Sequence, residues 1–183
     1  MIELSRLAWL GVFAAACSSS SDAPPATGDG GGEPICVNVT AEDKVVPWTS
    51  TDLPAYVCNA DKSTKFPTGP NSCRNTSDCA IIDTGMVREI TRVCGLGCRM
   101  PGATCATLSS CGSTCVVDIT KMTIMDPGLS PACASCYTEI ALCSLAYCLS
   151  ECAANADAPG CVKCQFEAGC RIPYERCSGL DRK

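Results

Sequence analysis

Residues 130–177 read SPACASCYTEIALCSLAYCLSECAANADAPGCVKCQFEAGCRIPYERC, and this stretch decides the fold. Ser130 is a suitable N-cap and Pro131 suits the first helical position, so the apolar spacing predicts a helix from there to about Asn155. The run DAPG at 157–160 predicts a break before a second helix and a last turn. Because consecutive helices with a short connection pack antiparallel, the stretch predicts a C-terminal helical hairpin.

The cysteines of this hairpin recur at helical spacing and form one broad face. An antiparallel arrangement therefore brings cysteines of the first helix close to cysteines of the second. The expected neighbours are Cys148 and Cys152 with Cys161 and Cys164, and Cys133 and Cys136 with Cys170 and Cys177.

The whole chain of 183 residues has 19 cysteines, of which Cys17 stands apart and the other 18 lie in residues 36–183. That density, about one residue in eight, is typical of a disulfide scaffold in an oxidising compartment. The 18 candidates for disulfides are Cys36, Cys58, Cys73, Cys79, Cys94, Cys98, Cys105, Cys111, Cys115, Cys133, Cys136, Cys143, Cys148, Cys152, Cys161, Cys164, Cys170 and Cys177.

Counting the cysteines on either side of residues 116–132 predicts how the chain is organised. Residues 36–115 contain nine cysteines and residues 133–177 contain nine, so neither half can pair completely within itself. If every cysteine is oxidised, at least one disulfide joins the two halves. Residues 36–183 are therefore expected to form a single domain, although the individual pairings stay open.

Cys17 follows an apolar run of about ten residues, which is too short to span a bilayer and fits the core of a signal peptide. The sequence Ala14-Ala15-Ala16-Cys17 resembles a bacterial lipobox, which implies a signal peptide over 1–16 and lipidation of Cys17. Ser18, in place of Asp, resembles lipoproteins sorted to the outer membrane. The alternative is ordinary cleavage after the A-x-A motif, which leaves Cys17 as a free thiol.

Residues 17–35 are rich in Ser, Pro and Gly and predict a flexible tether between the lipidated cysteine and the domain. Within the domain, residues 36–72 are expected to be irregular, with a short strand near Cys36–Val39, and residues 73–183 to be helical. Helical periods predict one or two turns over 77–82, a helix that Asp83 or Thr84 caps and that ends at Gly95 and Gly97, and a helix over 103–122 with Gly112 as a weak point. The fold class is mainly α: a small disulfide-stapled helical domain with an irregular N-terminal segment.

Composition excludes several classes of function. The chain contains no histidine, which excludes Ser-His-Asp and Cys-His catalysis and metal sites that depend on histidine. The net charge is −5 and the chain has no run of Lys or Arg, so binding of nucleic acid through a basic face is not expected. No cofactor is predicted.

The CxxC pairs at 133–136 and 161–164 allow three interpretations. They are halves of structural disulfides, which we favour, or a four-thiolate zinc site, or a redox dithiol. Cysteine-lined helices also allow storage of soft Cu(I) by reduced thiolates, and this is the main alternative function. The carboxylates Glu139, Glu151, Glu167 and Glu175 fit a solvated helix face better than an acid–base pair, and Trp48, Tyr56 and Phe66 fit packing under a loop better than an exposed binding patch.

Residues 129–180 carry a resemblance in LSPACASCY at 129–137, ALC at 141–143, Tyr147-Cys148, Cys152, CVKC at 161–164, Gly169-Cys170 and CSGL at 177–180. The pattern resembles an uncharacterised family of cysteine-rich secreted or lipid-anchored proteins of myxobacteria and some protists. Asn75 to Gly95 is compatible with the front part of that family, so the match covers about residues 73–180. The resemblance implies localisation and fold, and no activity.

The sequence thus predicts a non-enzymatic, lipid-anchored envelope protein with a structural or interaction role. We expect it to be exported and held at the outer membrane, on its periplasmic or cell-surface side, through the lipid at Cys17. A protein partner at the cell envelope is the expected binding partner, and no sequence feature selects it.

Overall fold

The computed structural model describes residues 36–37, 39–44, 56–58 and 69–182, which are mainly helical as predicted. The described part contains seven α-helices, one short 3₁₀ helix at Glu42–Lys44 and two two-residue strands. The helices are α1 (Thr76–Ile82), α2 (Val87–Gly97), α3 (Cys105–Thr123), α4 (Pro131–Tyr147), α5 (Leu149–Cys152), α6 (Pro159–Glu167) and α7 (Arg171–Ser178), and the strands are β1 (Tyr56–Val57) and β2 (Asp181–Arg182).

The C-terminal hairpin begins where the sequence predicts. Ser130 caps α4 through its side chain, which accepts the Cys133 N–H, and Pro131 occupies the first helical position. The prediction that this helix reaches Asn155 is wrong, because the backbone leaves helical geometry at Cys148 (φ −131°, ψ 24°). This bend turns the short helix α5 onto α6, where Cys148 and Cys152 form disulfides with Cys164 and Cys161.

Helices α2 and α3 form a second hairpin, with boundaries close to the predicted ones. Thr104 caps α3 in a reciprocal capping box with Thr107. The predicted cap of α2 is wrong: the helix begins at Val87, because the Thr84 hydroxyl closes the end of α1 by donating to the Ile81 carbonyl. Helix α2 also continues through Gly95 to Gly97.

The two hairpins pack against each other through α3 and α4. Gly112 of α3 faces Thr138 of α4, and a Cβ atom at Gly112 would lie 2.5 Å from the Thr138 Cγ2 atom. The glycine thus permits the two helices to approach closely, and the prediction that it weakens α3 misses this packing role. Asp78 of α1 adds a polar contact, since its buried carboxylate accepts hydrogen bonds from the Ser130 N–H (2.7 Å) and hydroxyl (2.5 Å).

The segment ahead of α1 docks onto the C-terminal hairpin. Strand β1 pairs antiparallel with β2, with Tyr56 opposite Arg182. No strand is present at Cys36, Val37 or Val39, so the strand predicted there is wrong within the described residues. The turn between α6 and α7 receives this segment at Gly169, whose φ of +81° and contact with Val39 both favour glycine.

All 18 cysteines of the domain are paired in nine disulfides, which confirms the predicted disulfide scaffold. Two sets are nested, as an antiparallel hairpin requires: each bridge encloses the next one toward the turn. The set in α2–α3 is Cys94–Cys115 and Cys98–Cys111, and the set in the C-terminal hairpin is Cys136–Cys177, Cys143–Cys170, Cys148–Cys164 and Cys152–Cys161.

The remaining bridges are Cys36–Cys105, Cys58–Cys79 and Cys73–Cys133. Cys73–Cys133 joins the two halves of the domain, and it is the crossing bridge that the cysteine count requires. Cys133 therefore pairs with neither Cys170 nor Cys177, the two cysteines named as its expected neighbours. Its position at the start of α4 lies beside Cys73, which precedes α1, whereas Cys136 pairs with Cys177 as expected.

Candidate functional site

A cavity lies between α2, α4 and the connection from α5 to α6. It encloses about 50 Å³, and about 560 Å³ when its open mouth is included. Its walls are mainly apolar, with side chains such as Leu96, Ile140, Leu145 and Leu149. A cavity of this size has room for a few water molecules or for one small organic group.

The polar part of the lining centres on Arg171, the first residue of α7. This side chain is 1% exposed, although arginine is rarely buried without partners. Its Nη1 atom donates to the Tyr56 hydroxyl (2.9 Å), which in turn donates to the Glu175 carboxylate (3.1 Å). The Arg171 Cζ atom also lies 5.5 Å from the ring centroids of both Tyr56 and Phe166, within the range of a cation–π contact.

One edge of the Arg171 guanidinium is unsatisfied. Its Nε and Nη2 atoms are buried and have no hydrogen-bond partner among the described residues. Gln165, which also lines the cavity, donates from Nε2 to the Ser144 hydroxyl (2.6 Å), whereas its Oε1 atom has no partner in the described part of the chain. Buried polar groups are hydrogen-bonded in most proteins, so these two side chains identify the cavity as a candidate binding site.

Two arginines of α2 connect the rim of the cavity to the α5–α6 connection. Arg88 forms an ion pair with Asp157 (2.5 Å) and donates to the Ala156 carbonyl (2.6 Å). Arg92 bonds to Glu89 and to the Ala153 carbonyl. Burial lowers the pKa of Arg88, and the positive charge of Arg171 lowers it further.

Three tyrosines form the aromatic floor of the cavity. The Tyr174 ring meets the rings of Tyr56 and Tyr137 edge to face, with centroids 5.3 and 5.2 Å apart. Burial raises the pKa of Tyr137 to about 12, and it also raises the pKa values of Tyr56 and Tyr174 above the usual value. These hydroxyls therefore stay protonated at neutral pH and can donate hydrogen bonds.

The structure places the cysteines of both CxxC motifs in disulfides with cysteines elsewhere in the chain. Cys133 and Cys136 pair with Cys73 and Cys177, and the second motif pairs with Cys148 and Cys152. Because the sulfurs are bonded to each other, this arrangement does not support soft-metal binding through reduced cysteines. Within the described ranges, no group of Cys, Asp and Glu side chains has the arrangement of a metal site.

The carboxylates singled out in the sequence do not converge. Glu175 is buried at the polar cluster, whereas Glu151 and Glu167 are exposed. Partial burial raises the pKa of Glu139. Among the three aromatic residues, Tyr56 packs against the C-terminal hairpin, as the packing interpretation expects, while Trp48 and Phe66 lie outside the described residues. Cys17, its lipobox and the tether also lie outside them.

Sequence reasoning did not identify Arg171 or Gln165 as site residues. Arg171 comes next to Cys170 in a stretch where cysteines dominate the pattern, and its partner Tyr56 is 115 residues away. The one local signal is that Arg171 follows Cys170, a cysteine that the helical pattern predicts to be buried. That signal indicates a buried charge but does not reveal a cavity.

Among the described residues, no helix combines the length and apolar character needed to cross a bilayer. The extensive disulfides are compatible with an exported protein. No family model, no curated protein and no solved structure matches this chain. The resemblance to cysteine-rich myxobacterial and protist proteins therefore stays a prediction.

Proposed function

We propose that this protein is a non-enzymatic, lipid-anchored component of the bacterial cell envelope, with a structural or interaction role. The observation that carries the proposal is the complete pairing of the cysteines. Nine disulfides use all 18 cysteines of residues 36–183, so Cys17 is the single cysteine of the chain that they leave over. An exported protein rarely keeps an unused thiol, and lipidation gives Cys17 a chemical role.

The covalent frame supports a role that depends on a durable shape. Each bridge contributes about 2–4 kcal/mol to stability, mainly by restricting the unfolded chain. Aromatic residues make up only 5% of the sequence, so cysteines replace much of an ordinary apolar core. Such a domain, held at the membrane by Cys17 and a polar tether, can present its surface to a protein partner at the envelope.

Ser18 supports the outer membrane as the destination, because it follows the lipidated position where an aspartate favours retention at the inner membrane. The periplasmic and cell-surface sides of the outer membrane are distinguished by protease treatment of intact cells. Degradation in intact cells indicates the surface, and protection until the outer membrane is opened indicates the periplasm.

The test is intact-mass measurement on protein purified from envelope fractions, before and after reduction and thiol alkylation. We expect a mass that begins at Cys17 with a diacylglycerol and an acyl chain, and no alkylation until a reductant is added. A Cys17→Ser variant should leave the membrane fraction, and Ser18→Asp should move the protein to the inner membrane. Ser19→Ala is the matched control and should change neither result.

Two results would contradict the proposal. If the mature protein begins at Cys17 without lipid and fractionates as soluble protein, the anchor is wrong. If several cysteines are alkylated without reductant, the covalent scaffold is wrong.

A further inference from the structure

We propose that the cavity beside Arg171 binds a small organic carboxylate with a short apolar body. This inference concerns a ligand site within the domain, and it does not depend on the anchor at Cys17. Three features carry it: the edge of a buried guanidinium that has no partner among the described residues, the lack of a carboxylate among the described lining residues, and the apolar walls.

The first feature fixes the chemistry of the charged group. Nε and Nη2 form one edge of a guanidinium, and their N–H bonds point in parallel toward the same side. A carboxylate accepts both of them in a planar, two-oxygen contact, which is among the strongest geometries for a charge-assisted hydrogen bond. In Arg171 these are the two atoms without a partner among the described residues, while Nη1 is used by Tyr56.

The second feature fixes the sign of the ligand charge. Arg88, Arg92 and Arg171 all line the cavity, and no Asp or Glu is among its described lining residues. Asp157 and Glu89 pair with the first two arginines from outside the lining. Glu175 reaches Arg171 through the Tyr56 hydroxyl, so the Arg171 guanidinium, which lines the cavity, has no direct hydrogen bond to a carboxylate among the described residues.

The third feature selects a carboxylate with an apolar body over an inorganic anion. Leucine, isoleucine and alanine side chains, together with tyrosine rings, make the wall mainly apolar. Apolar walls with a few convergent polar groups are typical of sites for small organic ligands, whereas phosphate would leave its remaining oxygens against hydrocarbon. The unpartnered Oε1 atom of Gln165 can accept a hydrogen bond from a ligand hydroxyl or amine.

The mouth of the cavity suggests how binding can be blocked without disturbing the buried network. Ala153 lines the cavity and is exposed, and its neighbour Ala154 is exposed but does not line it. A tryptophan at 153 should cover the mouth, whereas a tryptophan at 154 should point its bulk elsewhere. Because both positions are exposed, the pair provides a matched test that inserts no bulk into the core.

The experiment is calorimetric titration of the purified, oxidised full chain with hexanoate, hexanamide, hexylamine and inorganic phosphate. We expect saturable binding of hexanoate with a Kd below about 10 mM, and at least about tenfold weaker binding of the other three. Arg171→Met and Ala153→Trp should each weaken hexanoate binding at least about tenfold. Arg176→Met, on the same helix but outside the cavity, and Ala154→Trp should keep it within about twofold.

Three results would overturn the proposal: no hexanoate binding by the folded chain, hexanamide or phosphate binding as tightly as hexanoate, or equal effects of each variant and its control. If circular dichroism shows that Arg171→Met does not fold, the comparison of Ala153→Trp with Ala154→Trp decides the result.

Discussion

The two helical hairpins of this protein are built on the same principle but differ in what they bury. In α2–α3, two nested disulfides connect the helices, and in the C-terminal hairpin four do so. The α2–α3 region and its flanks expose Met86, Met100, Met122 and Met125, whereas the C-terminal hairpin buries Arg171, Glu175 and Gln165. The hairpin with more disulfides is thus the one whose interior contains charged and polar side chains, which are costly to bury.

The difference between the hairpins indicates how a chain with few large apolar residues can bury charged side chains. A charged side chain in the interior loses its hydration, and imperfect pairing leaves part of that cost uncompensated. Disulfides stabilise the fold without depending on local apolar contacts. The C-terminal hairpin can therefore form, together with α2, a cavity lined by polar side chains some of whose atoms have no hydrogen-bond partner among the described residues.

The largest effect is expected from the bridge between Cys73, which precedes α1, and Cys133, at the start of the C-terminal hairpin. Replacing Cys73 and Cys133 together by alanine removes a cross-link over 60 residues, and loop-closure entropy predicts a loss of about 4 kcal/mol in the free energy of unfolding. The matched change at Cys152 and Cys161, a span of 9 residues, should cost about 2.6 kcal/mol. Urea unfolding of the oxidised proteins measures both values, and a larger loss at Cys152 and Cys161 would contradict the role of the crossing bridge.

Alkaline pH should lower stability through the C-terminal hairpin, which buries tyrosines. The α2–α3 hairpin should not contribute to this loss, because residues 87–123 contain no tyrosine. An unfolded tyrosine has a pKa of about 10, whereas burial holds the pKa of Tyr137 at about 12. Ionisation of Tyr137 then favours the unfolded chain, so its contribution to stability is fully present below pH 10 and falls between about pH 10 and 12, by about 1.4 kcal/mol per pH unit.

Urea unfolding at pH 8, 10 and 11 measures this loss. Tyr137→Phe should reduce the slope. In the unsubstituted protein, absorbance at 295 nm should show that the Tyr137 phenol ionises at a higher pH than free tyrosine. A stability that is flat up to pH 11 would contradict the buried tyrosine floor.

Asp78 links α1 to the start of α4 without a covalent bond. Asp78→Ala removes the acceptor for two hydrogen bonds from Ser130 and should lower the free energy of unfolding by about 2 kcal/mol. Asp83→Ala, at an exposed site just after α1, is the control and should change it by less than about 0.5 kcal/mol. Equal effects of the two variants would show that the Asp78 contact does not stabilise the junction.

The interface between α3 and α4 should respond to a single methyl group. Gly112→Ala places a Cβ atom against Thr138 and should cost about 1–2 kcal/mol, although alanine favours helices. Adding Thr138→Ser to the Gly112→Ala variant removes the opposing methyl group and should restore most of the lost free energy of unfolding. Gly97→Ala, where no atom lies within 4 Å, should be neutral or stabilising by up to about 1 kcal/mol, and a loss there equal to that at Gly112 would refute the packing argument.

Signals that depend on neighbouring residues, such as helix caps, predicted the structure well. Contacts between residues far apart in the sequence could not be predicted. Ser130 and Pro131 mark the start of α4 because capping depends on neighbouring residues alone. The pairs Cys148–Cys164 and Cys152–Cys161 follow from an antiparallel hairpin with a short connection. The partner of Cys133 could not be predicted, because it depends on where the segment before α1 docks.

The cavity could not be predicted for the same reason. Arg171 and Tyr56 meet only after β1 has paired with β2, and no local pattern fixes that pairing. The bend at Cys148 could not be predicted either, because the apolar spacing of the sequence continues through it.

Peptide mapping of the oxidised protein, digested at acidic pH to prevent disulfide exchange, tests the central claim most directly. We expect the nested pairs Cys94–Cys115 and Cys98–Cys111, the four nested pairs of the C-terminal hairpin, and Cys73–Cys133 as the one link between residues 36–115 and 133–177. Crossed pairs within a hairpin, a second link between the halves, or free thiols among these 18 cysteines would contradict it.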